Sequence, residues 1–502
     1  MSTQTRPHVE DEALRSQDPG EPAPDAPRGE SAGRAVIWNG LQTWGQNLIS
    51  LGVFLVLARL LSPADFGLSA SAFVIIYFFR ALVDAGFGRL LVQKKVLAPA
   101  DADTAFWSAL AFSAILILVC CVTAPLFALL YGQPRLTGII QVLSLIFLFV
   151  ALDSTQSALL QRHMQWRVQA IRRLAAAIGS AVVAIVLAYN GAGVWALVAQ
   201  QLTLEGLIAI LIWPMTSWRP HRRFSRESFW ELVHFGARYS GLRVLWTLGG
   251  SVDNLLVGVF LGPVALGYYV IAYRVFSVLN DLITTTLNNV ALPVFSRLQD
   301  DHPALNRSFL SSCRAASGIA FPLFAGMAAV AGPAVAVLFG SKWAPSTHVL
   351  EALALAGVLQ AQMALIASYV IAIGQVGNEL RWTSTILVFQ VIGFLIAVQI
   401  SLVAVALTVG IVYLLVLPLR LRYVSIKGGL RIRDYVAQLP RILIATGLMV
   451  AAVLGAEQVA ASLSAGAELA LEVIAGAAVY ILALALLAPD LLRGLVAHVR
   501  QA

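Results

Sequence analysis

Charge is what this chain has least of. Asp, Glu, Lys and Arg make up 12% of its 502 residues against 59% hydrophobic ones, and the mean hydropathy is +0.81. A soluble domain of this length would need far more charge on its surface, so the composition excludes one. Cysteine is scarcer still. Cys120, Cys121 and Cys313 lie in or beside apolar segments without zinc or haem spacing, and a buried, reduced role is the plain reading. Metal chemistry finds no support elsewhere, because the seven histidines are scattered and no H-E-x-x-H occurs. Gly86-Phe87-Gly88 lacks the lysine and the strand–turn–helix setting of a nucleotide loop. Neither metal nor cofactor is therefore expected.

Long apolar runs are what the chain has instead. They recur from Ala35 to the end, each about 20 residues long and able to cross roughly 30 Å of hydrocarbon. An outer-membrane barrel would show alternating segments of about ten residues. The expected fold is an all-α integral membrane protein with about 14 spans, from 36–61 to 467–488. The seventh span is expected at 238–261, the eighth at 266–292 and the ninth at 312–338. The division near Gln399–Ser401 is the least sharply marked.

Residues 1–33 hold seven acidic residues and five prolines with almost no large apolar side chains. Such a segment cannot bury a core and is expected to be a disordered cytoplasmic tail. It has no apolar h-region, so the first span should act as an uncleaved anchor. Basic residues such as Lys94, Arg162, Arg172, Arg222, Arg420 and Arg441 fall on one side of the spans, against Arg135 and Lys342 on the other. By the positive-inside rule both termini are cytoplasmic. The net charge of +8 resides in these loops and is no nucleic-acid signal. Residues 219–243, which mix arginines with aromatics, read as a short amphipathic helix in the headgroup layer.

There is an internal repeat. Leu61-Ser62-Pro63-Ala64-Asp65-Phe66-Gly67 matches Leu261-Gly262-Pro263-Val264-Ala265-Leu266-Gly267 as L-x-P-x-x-x-G, and Leu130-Tyr131-Gly132 matches Leu338-Phe339-Gly340. Six expected spans separate the copies, an even number, so both have the same orientation. This predicts two parallel-repeat six-helix lobes around a central cavity, plus two C-terminal helices. The expected divisions are a tail (1–33), a first lobe (34–218), a linker (219–237), a second lobe (238–424) and the extra helices with a tail (425–502).

Charges inside the spans are the candidate site. An ionisable group at membrane depth costs roughly 2.5–3.5 kcal/mol on insertion scales and is a functional candidate by default. Arg80 and Asp84 are four apart on one helix face. They read either as an ion pair or with Arg80 turned to an anionic ligand, for which a guanidinium is suited. Arg274 and Asp281, seven apart, share a face of the eighth span. Asp253, followed by Asn254, reads as Arg274's structural partner or as a protonatable group coupled to an ion gradient. Asp153, Glu205, Arg243 and Glu351 are weaker candidates; Glu205 and Glu351 could simply reach headgroups, and Arg243 reads as interfacial.

The segment D-N-L-L-V-G-V-F-L-G-P-V-A-L-G-Y-Y at 253–269, A-Y-R at 272–274 and L-P-V-F-S-R-L-Q at 292–299 resemble the polysaccharide-transporter (Wzx-type) branch of the MOP flippase superfamily. L-A-R-L-L-S-P-A-D-F-G at 57–67 and D-A-G-F-G at 84–88 agree. The resemblance covers about residues 35–440. It implies a bacterial inner-membrane flippase, not an enzyme, that moves undecaprenyl-diphosphate-linked oligosaccharide repeat units from the cytoplasmic to the periplasmic leaflet. Such transport serves exopolysaccharide, O-antigen or capsule assembly. Arg80, Arg274 and Asn254 would then contact substrate, and Asp84, Asp253 and Asp281 would line the cavity or couple it. Further expected partners are membrane lipids, H+ or Na+ as coupling ion and the polysaccharide polymerase machinery. Arg80 and Arg274 are not equivalent repeat positions, which argues against a symmetric clamp. An ion-coupled drug or cation antiporter of the same superfamily is the alternative, disfavoured by the arginines. A membrane glycan polymerase or ligase is a third, disfavoured because the non-cytoplasmic loops are all short.

Overall fold

The protein is described here by a computed structural model covering residues 32–83, 87–94, 96–234, 236, 249–460 and 463–490. All regular structure among the described residues is helical. The first lobe contains α1 (Ala32–Leu60), α2 (Pro63–Val83), α3 (Phe87–Gln93), α4 (Pro99–Leu130), α5 (Arg135–Leu143), α6 (Ile146–Arg162), α7 (Trp166–Tyr189) and α8 (Val194–Leu211). The second contains α9 (Val252–Phe260), α10 (Gly262–Arg297), α11 (His302–Ala329), α12 (Ala331–Leu338), α13 (Ser346–Ala372), α14 (Val376–Ala397) and α15 (Leu402–Gly428). After the short α16 (Ile432–Val436), α17 (Leu439–Ala460) and α18 (Ala465–Leu487) pack on each other and against α11 and α12.

Twelve helices among the described residues are long and apolar enough to cross a membrane, or thirteen when α11 and α12 count together. Of the expected seventh span, 238–248 lies outside the described residues, as do 1–31, Asp84 and Arg243. The ninth expected span is not continuous. Helices α11 and α12 meet at 70°, for a local reason: Pro333 has no amide hydrogen for the Ala329 carbonyl, and α11 ends at Ala329. The division near Gln399–Ser401 holds. Helix α14 stops at Ala397, and the Ser401 hydroxyl accepts from the Ala404 amide at 3.1 Å to cap α15.

The repeat becomes a structural contact. Helices α2 and α10 pack together, and the two copies of the motif meet there. A Cβ on Gly67 would lie 1.6 Å from the Pro263 carbonyl oxygen, and one on Gly267 would lie 2.0 Å from that of Pro63. Each glycine thus admits the other lobe's proline turn, and neither position has room for a side chain. The turns themselves differ. Ser62 and Asp65 cap the first reciprocally, at 3.1 and 3.2 Å, whereas the second turns through Gly262 at φ +82°.

Around this crossing the lobes share one core that includes Leu57, Phe66, Val257, Tyr269, Phe324 and Trp343. Away from it each lobe has its own: Ile76, Leu116 and Phe147 in the first, Phe295, Phe309 and Tyr369 in the second. The shared end is also held by polar contacts between the lobes. Trp343, fully buried, donates its indole N–H to the Ala58 carbonyl at 2.8 Å. Lys342 donates to the carbonyls of Arg59 and Leu61 at 2.8 and 2.7 Å. In return Arg59 donates to the carbonyls of Val337 and Leu338. These carbonyls are the unsatisfied C-terminal acceptors of α1 and α12, where a helix favours cationic donors. Partial desolvation lowers the Lys342 ammonium from its ordinary value, and Asp65 acts in the opposite direction.

The linker is fastened to the first lobe. Residues 226–234 are helical, and Ser228 donates to Asp101 at 2.6 Å. The amides of Ser225 and His221 donate to Thr104 and Asp103 at 2.9 and 3.1 Å. Lys94 bridges Glu231 at 2.8 Å and Asp101 at 3.2 Å, and the hydrogen bond it donates to Glu231 raises its pKa. Arg222, Arg223, Phe224 and Trp230 remain exposed, the mixed basic and aromatic face expected of a headgroup-level segment.

Candidate functional site

Beneath the shared end lies a cavity of about 550 Å³ between the lobes. Its walls follow from helical periodicity. Helix α1 contributes Asn47, Ser50, Phe54 and Leu57, and α2 contributes Phe66, Ser69, Phe73 and Tyr77, each set spaced by three or four residues on one face. From α8 come Leu197, Gln200, Gln201 and Leu204, and from α10 come Val270 and Arg274. Phe73 and Tyr77 stack at 5.8 Å between ring centroids with planes 22° apart.

Arg274 spans the gap between the lobes. It donates to the Ser50 hydroxyl at 3.0 Å, and its guanidinium carbon sits 5.7 Å from the Phe54 ring centroid, within cation–π range. Its Nε has no hydrogen-bond partner, and no carboxylate lies in salt-bridge range among the described residues. Among the described residues its close partners are a hydroxyl and an aromatic face, with the Asp281 charge acting on it only from a distance, so the guanidinium keeps donors for an anion. Asp281, two turns further along α10, is exposed.

The other expected residues are placed differently. Arg80 is bound at 2.5 Å by Glu205 of α8, which is buried rather than reaching for headgroups. Glu205 also accepts from Gln201 at 3.4 Å. The expected Asp253–Arg274 pair does not form. Asp253 is buried between α9 and α10, where it accepts from the Tyr269 hydroxyl and the Asn254 amide, both at 2.8 Å. The reason is angular: Tyr269 and Arg274 are five residues apart, so they leave α10 roughly 140° apart. Asn254 accompanies Asp253, and its side-chain oxygen is buried without a partner. Arg274 is thus the one expected residue, among those described, that lines the cavity.

Two arginines counted with the basic loops are buried inside the lobes. Arg172 binds Asp153, Ser157 and the Ile208 carbonyl, and Arg420 binds Glu379. Glu351 is exposed near the start of α13 with His348 at 3.1 Å. Sequence reasoning missed the amides of the cavity because it searched for charge. Their signal was present: Gln46, Asn47 and Ser50 on one largely apolar span, and the Gln200-Gln201 pair on another.

A helical membrane protein with two repeat-related lobes and a cavity between them has the architecture of a transporter. Residues 56–348, more than half of the chain, match the family profile described as "Polysaccharide biosynthesis protein", and the protein belongs to that family. It is 27% identical over 354 residues to the succinoglycan biosynthesis transport protein ExoT of Rhizobium meliloti (strain 1021), covering 70% of this chain and 71% of that one. It is 25% identical over 364 residues to the teichuronic acid biosynthesis protein TuaB of Bacillus subtilis (strain 168), covering 72% and 75%. The fold matches that of the lipid II flippase MurJ in an inward closed conformation, with a TM-score of 0.73, 13% identity and coverage of 91% of this chain and all of that one.

Proposed function

We propose that the protein flips undecaprenyl-diphosphate-linked oligosaccharide repeat units from the cytoplasmic to the periplasmic leaflet of the bacterial inner membrane. The observation that carries this is Arg274: a guanidinium with no carboxylate partner among the described residues, aimed into a cavity between two lobes. A diphosphate would take the donors that Ser50 leaves free, in the bidentate geometry that suits phosphate oxygens. The lipid tail would stay in the bilayer, and no bond need be made or broken. Lobes 34–218 and 238–424 would rock about the linker 219–237, with both termini cytoplasmic. The end closed by Gly67, Gly267 and Trp343 would then be periplasmic, and the shape inward-facing. Asp253, buried with no cation in salt-bridge range among the described residues, would be the group that responds to a coupling H+ or Na+, since desolvation makes a carboxylate's charge state sensitive to its surroundings. ExoT is named as a transport protein of succinoglycan biosynthesis and TuaB as a teichuronic acid biosynthesis protein, and both names support the reading.

The test is flipping of a fluorescent diphosphate-linked oligosaccharide in proteoliposomes by wild type, Arg274→Ala and Arg274→Lys. Wild type should flip, and Arg274→Ala should lose about tenfold or more, as loss of a charge-assisted contact of roughly 1.5–3 kcal/mol implies. Lysine should restore part of the rate. An Arg274→Ala protein that folds and flips at the wild-type rate overturns the proposal.

A further inference from the structure

The cavity is chemically lopsided. Its second-lobe wall holds the cation, Arg274, while its first-lobe wall holds the amides Gln46, Asn47, Gln200 and Gln201 beside the Phe73–Tyr77 stack. Gln201 is engaged by Glu205, but Gln46, Asn47 and Gln200 make no side-chain hydrogen bond to the protein among the described residues. The acidic and basic groups next to this wall, Glu205 and Arg80, are bonded to each other. Among the described residues, what faces the cavity from the first lobe is therefore uncharged hydrogen-bonding capacity on an aromatic floor.

We infer that this wall is a glycan subsite, built for a neutral sugar ring attached directly to the diphosphate. The inference rests on the flippase reading above and adds to it the placement and chemical class of the sugar. A primary amide offers an acceptor and two donors at one point, which matches the alternating hydroxyls, or an acetamido group, of a pyranose. The negative face of an aromatic ring attracts the positively polarised C–H face of a sugar. Both groups tolerate partial solvation, as a cavity that must release its cargo requires. A sugar carboxylate would find no cation among the described residues of this wall, and its desolvation would go uncompensated.

The placement also fixes the direction of the headgroup. Ser50, which accepts from Arg274, lies three residues from Asn47 and four from Gln46 on α1, so amide and phosphate sites adjoin along one helix face. With the diphosphate on Arg274, the first sugar falls against α1, α2 and α8. The volume of about 550 Å³ lies inside the roughly 300–1,000 Å³ range of small-molecule sites.

Binding to protein in nanodiscs tests this with three lipids: undecaprenyl diphosphate, the same lipid bearing a neutral disaccharide, and one whose first sugar is a uronate. In wild type the neutral sugars should raise affinity about tenfold over the bare diphosphate, and the uronate should not. Asn47→Leu and Gln200→Leu should each cut that gain to about threefold or less while leaving bare diphosphate within about twofold, which also certifies their folding. Arg274→Gln should weaken all three lipids alike. If bare diphosphate binds but neutral sugar adds nothing, or uronate binds as well as neutral sugar, the subsite is wrong and the flippase reading survives. Should wild type bind none of the lipids, the flippase reading itself fails.

Discussion

Arg172 is the most deeply buried charge described, with a fully buried side chain held by Asp153, Ser157 and the Ile208 carbonyl. Removing one partner of such a pair strands the other in low dielectric, at a cost of about 3–5 kcal/mol, whereas replacing both by apolar groups of similar volume is often neutral. Asp153→Leu should therefore lower the thermal midpoint of the purified protein sharply, and Asp153→Leu with Arg172→Met should recover most of it. A single variant as stable as wild type would show that the pair contributes nothing. The Arg80–Glu205 pair differs in its cation, since the Arg80 side chain is 25% exposed where that of Arg172 is fully buried, and breaking it should cost less. This contrast explains what the sequence could and could not reveal at this scale. Arg80 and Asp153 were legible as charges out of place. Which partner each takes was not, because Glu205 lies 125 residues from Arg80 and Arg172 lies 19 from Asp153, while helix periodicity pairs only residues three or four apart.

Among elements, α2 and α10 carry the interlobe contact, and here the sequence was informative. The L-x-P-x-x-x-G repeat marked both turns, and the same glycines admit the opposing prolines. Periodicity could not have shown that the two copies touch, since a repeat fixes equivalence and not proximity. Ala at Gly67 would drive its Cβ into the Pro263 backbone, which cannot yield as a flexible side chain does. Overpacking of this kind costs about 1–3 kcal/mol and should part the helices. With spin labels at Arg135→Cys and Ala344→Cys, exposed positions on the two lobes at this end, Gly67→Ala should lengthen the measured distance. Gly447→Ala in α17, where a Cβ would meet nothing within 4 Å, should leave it unchanged and gain a little stability from the better helix former. An unaltered distance in Gly67→Ala would mean that the crossing is not what holds the lobes together.

For the whole molecule, the fold class and the two-lobed plan were readable from hydropathy and the repeat, but the conformation was not. Which end is shut depends on contacts between lobes far apart in sequence, and the residues that make them gave no warning. Lys342 was legible only as a stray positive charge on the wrong side, and Trp343 not at all. In the folded protein Lys342 and Trp343 reach across to the last carbonyls of α1, and Arg59 reaches back to those of α12. Opening this end, as the proposed rocking of the lobes requires, would return those carbonyls to water or leave them unsatisfied, so the contacts would set the balance between the two shapes. Trp343 should matter most, because it is buried whereas Lys342 is exposed and its bonds compete with solvent. Trp343→Phe keeps the ring and removes one donor, a loss of about 1 kcal/mol that shifts the closed-to-open ratio roughly fivefold. The distribution between the same two labels reads that shift directly: a second, longer population should grow in Trp343→Phe and grow less in Lys342→Met. If neither variant changes the distribution, the polar contacts only decorate an end closed by the Gly67–Pro263 and Gly267–Pro63 packing. If Lys342→Met exceeds Trp343→Phe, the cationic cap on α1 governs the equilibrium rather than the buried indole.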